Sequence, residues 1–311
     1  MKILVTGGNG FIGRYTCREL VKQGFTPIVL DPRGQAPEEG CELRLGDIRD
    51  ATAVNEATAH AEGVVHLAGV LGTQETISNP TPAAETNIFG GLNVLDAATE
   101  YTLPIVNIGV GNFFENNTYS LTKHCVERFC SMYQQYRGLS VATVRALNAY
   151  GPGQSIAAPY GPSKVRKITP AFVMRALNND PIEVYGDGGQ VMDMVHASDV
   201  ANVLVAALRF LLDGKQTDTV FEAGTGRPTT VLDIARAVLS AVRSLGIEST
   251  SEVAHLPMRP GETPGVVVKA DTSTLVDLVP YGILPEAFVR LERGMVETVD
   301  WYQRHAQGTQ T

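Results

Sequence analysis

The sequence predicts an α/β protein: a doubly wound parallel sheet followed by a smaller α/β lobe toward the C-terminus. Three observations carry this. Through the first half, short β-branched runs alternate with segments of helical period, the pattern of parallel strands covered on both faces by crossover helices. A glycine-rich run stands directly between the first strand pattern and the first helix pattern. Beyond Tyr150 the texture changes to a Gly/Pro-rich stretch from Gly151 through Pro162, and helical patterns dominate from there.

Taken in order, residues 3–6 read as a strand, 14–23 as a helix, and 27–31, 63–67, 104–108 and 140–145 as further strands. After the Gly/Pro-rich stretch come the basic run Lys164-Val165-Arg166-Lys167 and helices over 170–178, 198–212, 230–245 and 288–303, with a strand at 220–223. The division this suggests is a nucleotide-binding domain over 1–150, joined by about 195–224, and a substrate lobe from 151–194 and 225–311.

With 311 residues, 44% hydrophobic and 19% charged, the chain has the material for a sizeable core. A formal charge of −8 and a pI near 5.3 exclude broad attraction to nucleic acid or an anionic membrane, so a phosphate-bearing ligand must be held by a local cluster. No stretch approaches the roughly 18 to 20 apolar residues of a membrane span, and the apolar start runs into Gly7 and Gly8 before a signal-peptide core forms, which reads as a cytoplasmic protein. Cys17, Cys41, Cys125 and Cys130 lack paired CxxC spacing, so the reading is reduced, mostly buried thiols with no disulfide framework and no metal site.

Thr6-Gly7-Gly8-Asn9-Gly10-Phe11-Ile12-Gly13 has the context of a Rossmann dinucleotide fingerprint, because it leaves a strand and opens a helix. Gly7 makes the tight turn, Gly10 lets backbone approach a pyrophosphate, and Gly13 permits close helix–strand packing. The helix N-terminus, at Phe11 and Ile12, offers N–H donors and positive potential. Asp31 ends the second strand about 20 residues on, where a carboxylate accepts both ribose hydroxyls and repels a 2′-phosphate, which favours NAD over NADP. Arg33, two residues later, pulls the other way, since a guanidinium accommodates that phosphate.

Tyr119 and Lys123 stand four apart at the start of a helical pattern and project from one face. A nearby ammonium favours phenolate and lowers a tyrosine pKa toward the working pH, as a general acid/base requires when a hydroxyl is oxidised by hydride loss.

From these motifs the chain resembles the extended short-chain dehydrogenase/reductase family, the NAD-dependent enzymes that epimerise, dehydrate or reduce nucleotide sugars. The likeness runs through TGGNGFIG (Thr6 to Gly13), GDIRD (Gly46 to Asp50), HLAG (His66 to Gly69), Asn87 in ETNIFGGLNVL, YSLTK (Tyr119 to Lys123), RALNAYGPG (Arg145 to Gly153) and RPGE (Arg259 to Glu262). The resemblance implies that Asp47 and Ile48 hold the adenine end and that Leu67, Ala68, Gly69 and Asn87 line the cofactor. It makes Tyr119 the acid/base and Lys123 the partner that binds the nicotinamide ribose. Asn148 and Arg259 match positions on the diphosphate of a nucleotide-sugar substrate. It also implies a homodimer paired through helices around 87–99 and 125–135.

Two departures stand out. After the strand at 104–108 the family places Ser or Thr to hydrogen-bond the reacting oxygen, whereas this chain has Gly109-Val110-Gly111. Thr118, Asn112 or Thr73 is then the substitute donor, with helix capping the competing role for Thr118. Where the family has a diphosphate-binding arginine this chain has Met192, and Lys164, Arg166 and Lys167 are the replacement cations. No adjacent Asp-Glu pair of the dehydratase kind is present. The expectation is therefore an epimerase acting at C4 through a transient keto sugar, with a 4-keto-sugar reductase, a dehydratase and a non-catalytic dinucleotide sensor as alternatives. His66, His196 and Trp301-Tyr302 read as structural, and Asp199 as a helix N-cap.

Overall fold

Glycine or proline punctuates apolar runs throughout, and in this computed structural model, which describes residues 1–258 and 265–306, those runs become strands. The chain begins β1 (Lys2–Thr6), α1 (Phe11–Lys22), β2 (Thr26–Asp31), β3 (Glu42–Leu45), α2 (Ala51–Thr58) and β4 (Gly63–His66). It continues α3 (Thr81–Ala84), a π-type turn (Glu85–Phe89), α4 (Gly90–Glu100), β5 (Ile105–Val110), α5 (Thr118–Arg137) and β6 (Val141–Ala146). Then follow β7 (Asn148–Tyr150), α6 (Ile168–Leu177), β8 (Ile182–Tyr185), β9 (Val191–Met192), β10 (Met194–His196), α7 (Ala197–Leu212) and β11 (Phe221–Ala223). The last elements are β12 (Thr229–Thr230), α8 (Val231–Ser244), β13 (Val253–Leu256), a 3-10 segment (Thr272–Tyr281) and α9 (Leu291–Ala306).

Seven strands form one parallel sheet in the order β11-β6-β5-β4-β1-β2-β3. The order reverses between β1 and β4, and the crevice outside their carboxyl ends is where such sheets take ligands. On one face Leu4, Val64, Ile105 and Val141 pack against Val94, Leu95 and Val126 of α4 and α5. α1 and α7 cover the other face, so the sheet is doubly wound. The edge strand β3 has no legible signal in Glu42-Leu43-Arg44-Leu45, because an edge that leaves Leu45 63% exposed imposes no apolar alternation.

The chain divides into two compact units, Met1–Ala146 with Ala197–Ala223 and Asp271–Pro285, and Leu147–His196 with Gly224–Ala270 and Glu286–Thr311. These bounds differ from the sequence reading in two places. Residues 148–150 leave the large sheet because β7 pairs with β10. Residues 271–285 join the first unit because the Asp271 N–H donates to Glu222 Oε2 (2.7 Å), the Glu222 N–H donates to Thr274 Oγ1 (3.0 Å), and Tyr281 meets Phe210 edge-on. A 3-10 segment containing Pro280 shows no helical period by which to be read.

The second unit has its own core of Tyr150, Phe172, Val184, Ile234, Val238, Met295 and Tyr302. Its polar keystone is the fully buried Asp193, which accepts from Thr225 N–H (2.8 Å) and Oγ1 (2.6 Å), Gly226 N–H (2.7 Å) and Ala270 N–H (3.0 Å). Asp199 lies inside the first turn of α7, buried, rather than at its cap. All four cysteines are free thiols. Cys17 and Cys41, distant in sequence, share a hydrogen bond, because residues 38–41 lie along α1 with Glu38 bound to Arg14 and Arg18. Among the described residues no helix is long and apolar enough to cross a membrane, and no cluster of acidic, His or Cys side chains fits a metal.

Candidate active site

The loop after β1 is built for close approach of a ligand. Gly7 has φ +71°, and a Cβ there would lie 2.8 Å from Ala68 Cα on the loop after β4. A Cβ on Gly13 would collide with the Gly7 and Gly8 carbonyls. Gly10 is the N-cap of α1 and, having no side chain, leaves the first-turn N–H groups of Phe11, Ile12 and Gly13 uncapped. A glycine cradle that a methyl group would fill, ending in unengaged amide donors, fits the pyrophosphate of a dinucleotide.

Asp31 is 1% exposed and takes four hydrogen bonds. Arg33 donates from its backbone N–H (3.0 Å), Nε (2.9 Å) and Nη2 (2.9 Å), and Asn9 from its N–H (3.2 Å). Burial opposes ionisation of this carboxyl, yet Arg33 outweighs it and holds the group below the usual carboxylate range. Asn9, which no sequence signal singles out, also ties the loop through Nδ2 to the Arg33 (3.2 Å) and Gln35 (3.0 Å) carbonyls. Asp47 is gripped in the same manner by Arg49, while Ile48 turns inward against Gly90 and its carbonyl accepts from Asn93 (2.9 Å).

The loop after β4 is fastened on both sides. Leu67 and Ala68 N–H groups both donate to Thr6 Oγ1 at 3.2 Å. Asn87, 2% exposed in the π-type turn, accepts from Val70 N–H (2.7 Å) and donates to the Val70 carbonyl (3.1 Å) and to Thr122 Oγ1 (2.9 Å). A Cβ on Gly69 would sit 2.9 Å from Asn87 Oδ1. Thr122 in turn donates to the Tyr119 carbonyl (3.1 Å). One chain of contacts thus runs from Gly7 through Ala68, Val70 and Asn87 to the turn of α5 that carries Tyr119.

α5 starts where Asn117 caps it by accepting from Ser120 N–H (2.9 Å) and stops at Gly138 in the left-handed region. Lys123 is 4% exposed, and burial pushes its ammonium down to about 8. Burial also pushes the Tyr119 phenol up. This corrects one expectation: desolvation, not the lysine charge, governs Tyr119, and each partner is held toward its neutral form.

The substitute donors are placed as follows. Thr118 is not the cap; it is the first helical residue, and its hydroxyl donates to the Thr76 carbonyl (3.1 Å), stapling the 72–76 loop to α5. Asn112 Nδ2 donates to Glu115 Oε2 (2.7 Å). Thr73 is half-buried in the stapled loop. A Cβ on Gly109 would meet Arg145 Cγ and Glu127 Oε2 at 3.1 Å and Thr143 Cγ2 at 3.3 Å. The place of the usual hydroxyl therefore borders the buried Arg145–Glu127 pair, with Nη2–Oε1 2.6 Å and Nε–Oε2 3.0 Å.

The remaining site residues belong to the second unit. Asn148 lies in β7, half-buried, and Lys167 sits at the N-cap position of α6. Met192 packs against that unit's core. Of the replacement cations, Arg166 is spent on Glu183 (2.7 Å) and the Tyr185 hydroxyl (2.9 Å), and Lys164 is exposed. Arg259 lies outside the described residues.

With this geometry in place, the model of the NAD dependent epimerase/dehydratase family matches residues 3–224. The chain belongs to that family. Members are NAD-using enzymes, and NAD is the cofactor that the glycine cradle and Asp31 fit. This family member is 26% identical to a UDP-N-acetyl-alpha-D-glucosaminuronate decarboxylase of Bacillus cytotoxicus, covering 97% of this chain and 98% of the relative. It is 28% identical to a UDP-glucose 4-epimerase of Rhizobium meliloti over 76% of this chain and 80% of that one. Among solved structures, the Thermus thermophilus UDP-glucose 4-epimerase in complex with NAD superposes with a TM-score of 0.81 at 27% identity, covering 98% of this chain and 100% of the other.

Proposed function

We propose that this enzyme is an NAD-dependent epimerase of a nucleotide-diphosphate sugar, acting at C4 through a transient keto sugar. The observation that carries the reading is the pairing of Tyr119 and Lys123 one turn apart on α5, tied through Thr122 and Asn87 to the loop that meets Gly7. Similarity to UDP-glucose 4-epimerases supports it.

NAD, when bound, supplies the hydride acceptor and later the donor. Tyr119 takes the hydroxyl proton as the C4 hydrogen departs as hydride, and returns a proton to the same oxygen when the hydride comes back on the opposite face. Lys123 stabilises the phenolate during that interval. Thr73 is the proposed donor to the reacting oxygen, since the Thr118 hydroxyl already gives its one proton to the Thr76 carbonyl and Asn112 is held by Glu115. Asn148, Lys167 and Arg259 are the proposed contacts to the diphosphate, Lys167 and Arg259 compensating for Met192. Oxidation at the same carbon followed by loss of carbon dioxide is a second reading, favoured by the whole-length likeness to a uronate decarboxylase.

The test is to incubate NAD-loaded protein with UDP-glucose, UDP-N-acetylglucosamine, UDP-glucuronate and dTDP-glucose and to identify products by NMR. Epimer formation without net NADH, abolished in Tyr119→Phe, is the expected result. NADH accumulating in step with a released keto sugar would identify a reductase running in reverse, and a pentose product a decarboxylase. We also propose a homodimer through α4 and α5: α5 exposes Leu121 and Tyr136, and the turn that leads into α4 exposes Phe89. Phe129 and Met132 pack partly on the subunit's own core. Light scattering that reports a monomer at micromolar concentration would overturn the pairing.

A further inference from the structure

Beneath α5 the sheet carries a buried polar row. Register aligns Thr6 with His66, His66 with Asn107, and Asn107 with Thr143, so the four stand side by side on β1, β4, β5 and β6. Two residues earlier along the same strands, Leu4, Val64, Ile105 and Val141 face α4 and α5, and the strand period of two puts the polar row on that face too. All four are between 0 and 7% exposed. A polar stripe in such a layer is costly unless its hydrogen bonds are made.

The donors and acceptors of this row can be counted. Thr6 Oγ1 already accepts two N–H groups, from Leu67 and Ala68, so its own proton goes to His66 Nδ1 at 2.7 Å. That fixes the tautomer: the proton of neutral His66 is on Nε2, which has no protein partner and lies toward α4, where a Cβ on Gly91 would be 3.6 Å away. The burial that pushes the His66 pKa down to about 3, with the Lys123 charge adding to it, keeps the ring neutral. Thr143 is paired with the Cys130 thiol of α5. Asn107 remains, 0% exposed, with Oδ1 and Nδ2 both unpartnered.

His66 Nε2–H is thus a donor without a protein partner beside Asn107 Oδ1, an acceptor without one, and buried Lys123 shares the α5 face of Val126 and Cys130 that packs over this row, close enough for its charge to act on His66. We propose that Asn107 is a positioning residue for Lys123: its Oδ1 receives the protonated amine across one internal water, and with His66 sets where that amine stands beside Tyr119. This rests on the reading of Tyr119 and Lys123 as the reacting pair. The titratable groups facing Lys123 are Tyr119, Glu127 and Cys130 of α5 itself and His66 of β4, with Glu127 neutralised by Arg145 of β6. An apolar residue would fill the place of Asn107 without its two unpartnered amide atoms, so packing alone does not account for an amide there.

The experiment is a pH titration of the full chain labelled at the lysine ε-carbon, with and without saturating NAD, the Lys123 signal being identified from Lys123→Met. Asn107→Leu is expected to lower the Lys123 midpoint by about one pH unit and Asn107→Asp to raise it by at least about one, the scale of one hydrogen bond to a charged group. The melting-temperature difference between Asn107→Leu and the parent should be less favourable to the variant at pH 7 than at pH 10, where Lys123 is neutral, whereas a purely structural amide would give the same difference at both. An unmoved midpoint in both variants overturns the proposal, as does a shift produced instead by Ser120→Ala, since the Ser120 hydroxyl is likewise buried and unpartnered. If Asn107→Leu does not fold, Asn107→Ala decides in the same titration, since it removes the acceptor without adding a charge. Product formation by Tyr119→Phe is measured separately: turnover surviving that change removes the proposed function and leaves the titration result to stand or fall by itself.

Discussion

Arg33 closes over Asp31, donating three hydrogen bonds to a carboxylate that is itself almost wholly buried while the arginine side chain stays half-exposed. With Asn9 the arginine occupies both carboxylate oxygens of Asp31, and if Asp31 is the ribose acceptor proposed from the sequence, cofactor binding displaces the guanidinium. Arg33→Ala should tighten NAD by up to about fivefold, the range of a partly exposed ion pair. Asp31→Asn should weaken NAD and narrow its advantage over NADP. Calorimetric titration with both cofactors measures each, and weaker NAD binding by Arg33→Ala would show that the arginine helps hold the cofactor instead of guarding its place.

The charge on Lys123 costs stability, and the sign can be worked out. Its pKa of about 8 in the fold lies below the roughly 10.4 of an unfolded lysine, so the unfolded chain binds more protons between these values and the cost is relieved as pH rises through that window. Lys123→Met should therefore stabilise the protein at pH 7 by about 1–3 kcal/mol, the gain shrinking toward pH 10, while turnover is lost. Thermal melts across pH read the gap between variant and parent. His66 acts at the other end: with a pKa of about 3 in the fold against roughly 6.5 unfolded, it costs stability as pH falls from about 6.5, and His66→Gln should flatten that part of the profile.

Thr118 and Asn117 separate two roles that adjacent residues easily blur. Removing the cap with Asn117→Ala should cost about 1 kcal/mol and fray the start of α5. Thr118→Val leaves the cap intact and should instead free residues 72–76, at about 1 kcal/mol for the lost hydrogen bond, visible as faster amide exchange in that loop alone. Faster exchange at Ser120 and Leu121 in Thr118→Val would contradict this division.

Thr73→Val should lower kcat by about a hundredfold with NAD affinity and melting temperature unchanged, the measured scale for one donor to a developing oxyanion in other enzymes. Restoring the family hydroxyl by Gly109→Ser should not rescue it. The added Cβ would press on Arg145, Glu127 and Thr143, and overpacking of that kind costs about 1–3 kcal/mol. Full activity in Thr73→Val, with Tyr119→Phe inactive, would leave Tyr119 working with Lys123 and water alone.

By itself the sequence determined the alternating strands and helices, the glycine turn after β1, the acidic end of β2, and the Tyr119–Lys123 spacing on one helical face. Each is a local pattern, fixed by backbone geometry or by a periodicity of two or 3.6, and so it survives in one dimension. Only the tertiary structure decided what those residues touch. Arg33 turned out to grip Asp31, Asn87 to fasten the loop after β4 to α5, Arg166 to be spent on Glu183, and Asn107 to stand between His66 and Thr143. The buried Asp193 that gathers Thr225, Gly226 and Ala270 gave no sign in the chain either. Partners in such contacts are chosen by sheet register and loop placement, and a hydrogen bond between residues far apart in sequence leaves no period to read; whether a polar group is satisfied depends on which distant backbone or side chain the fold delivers to it.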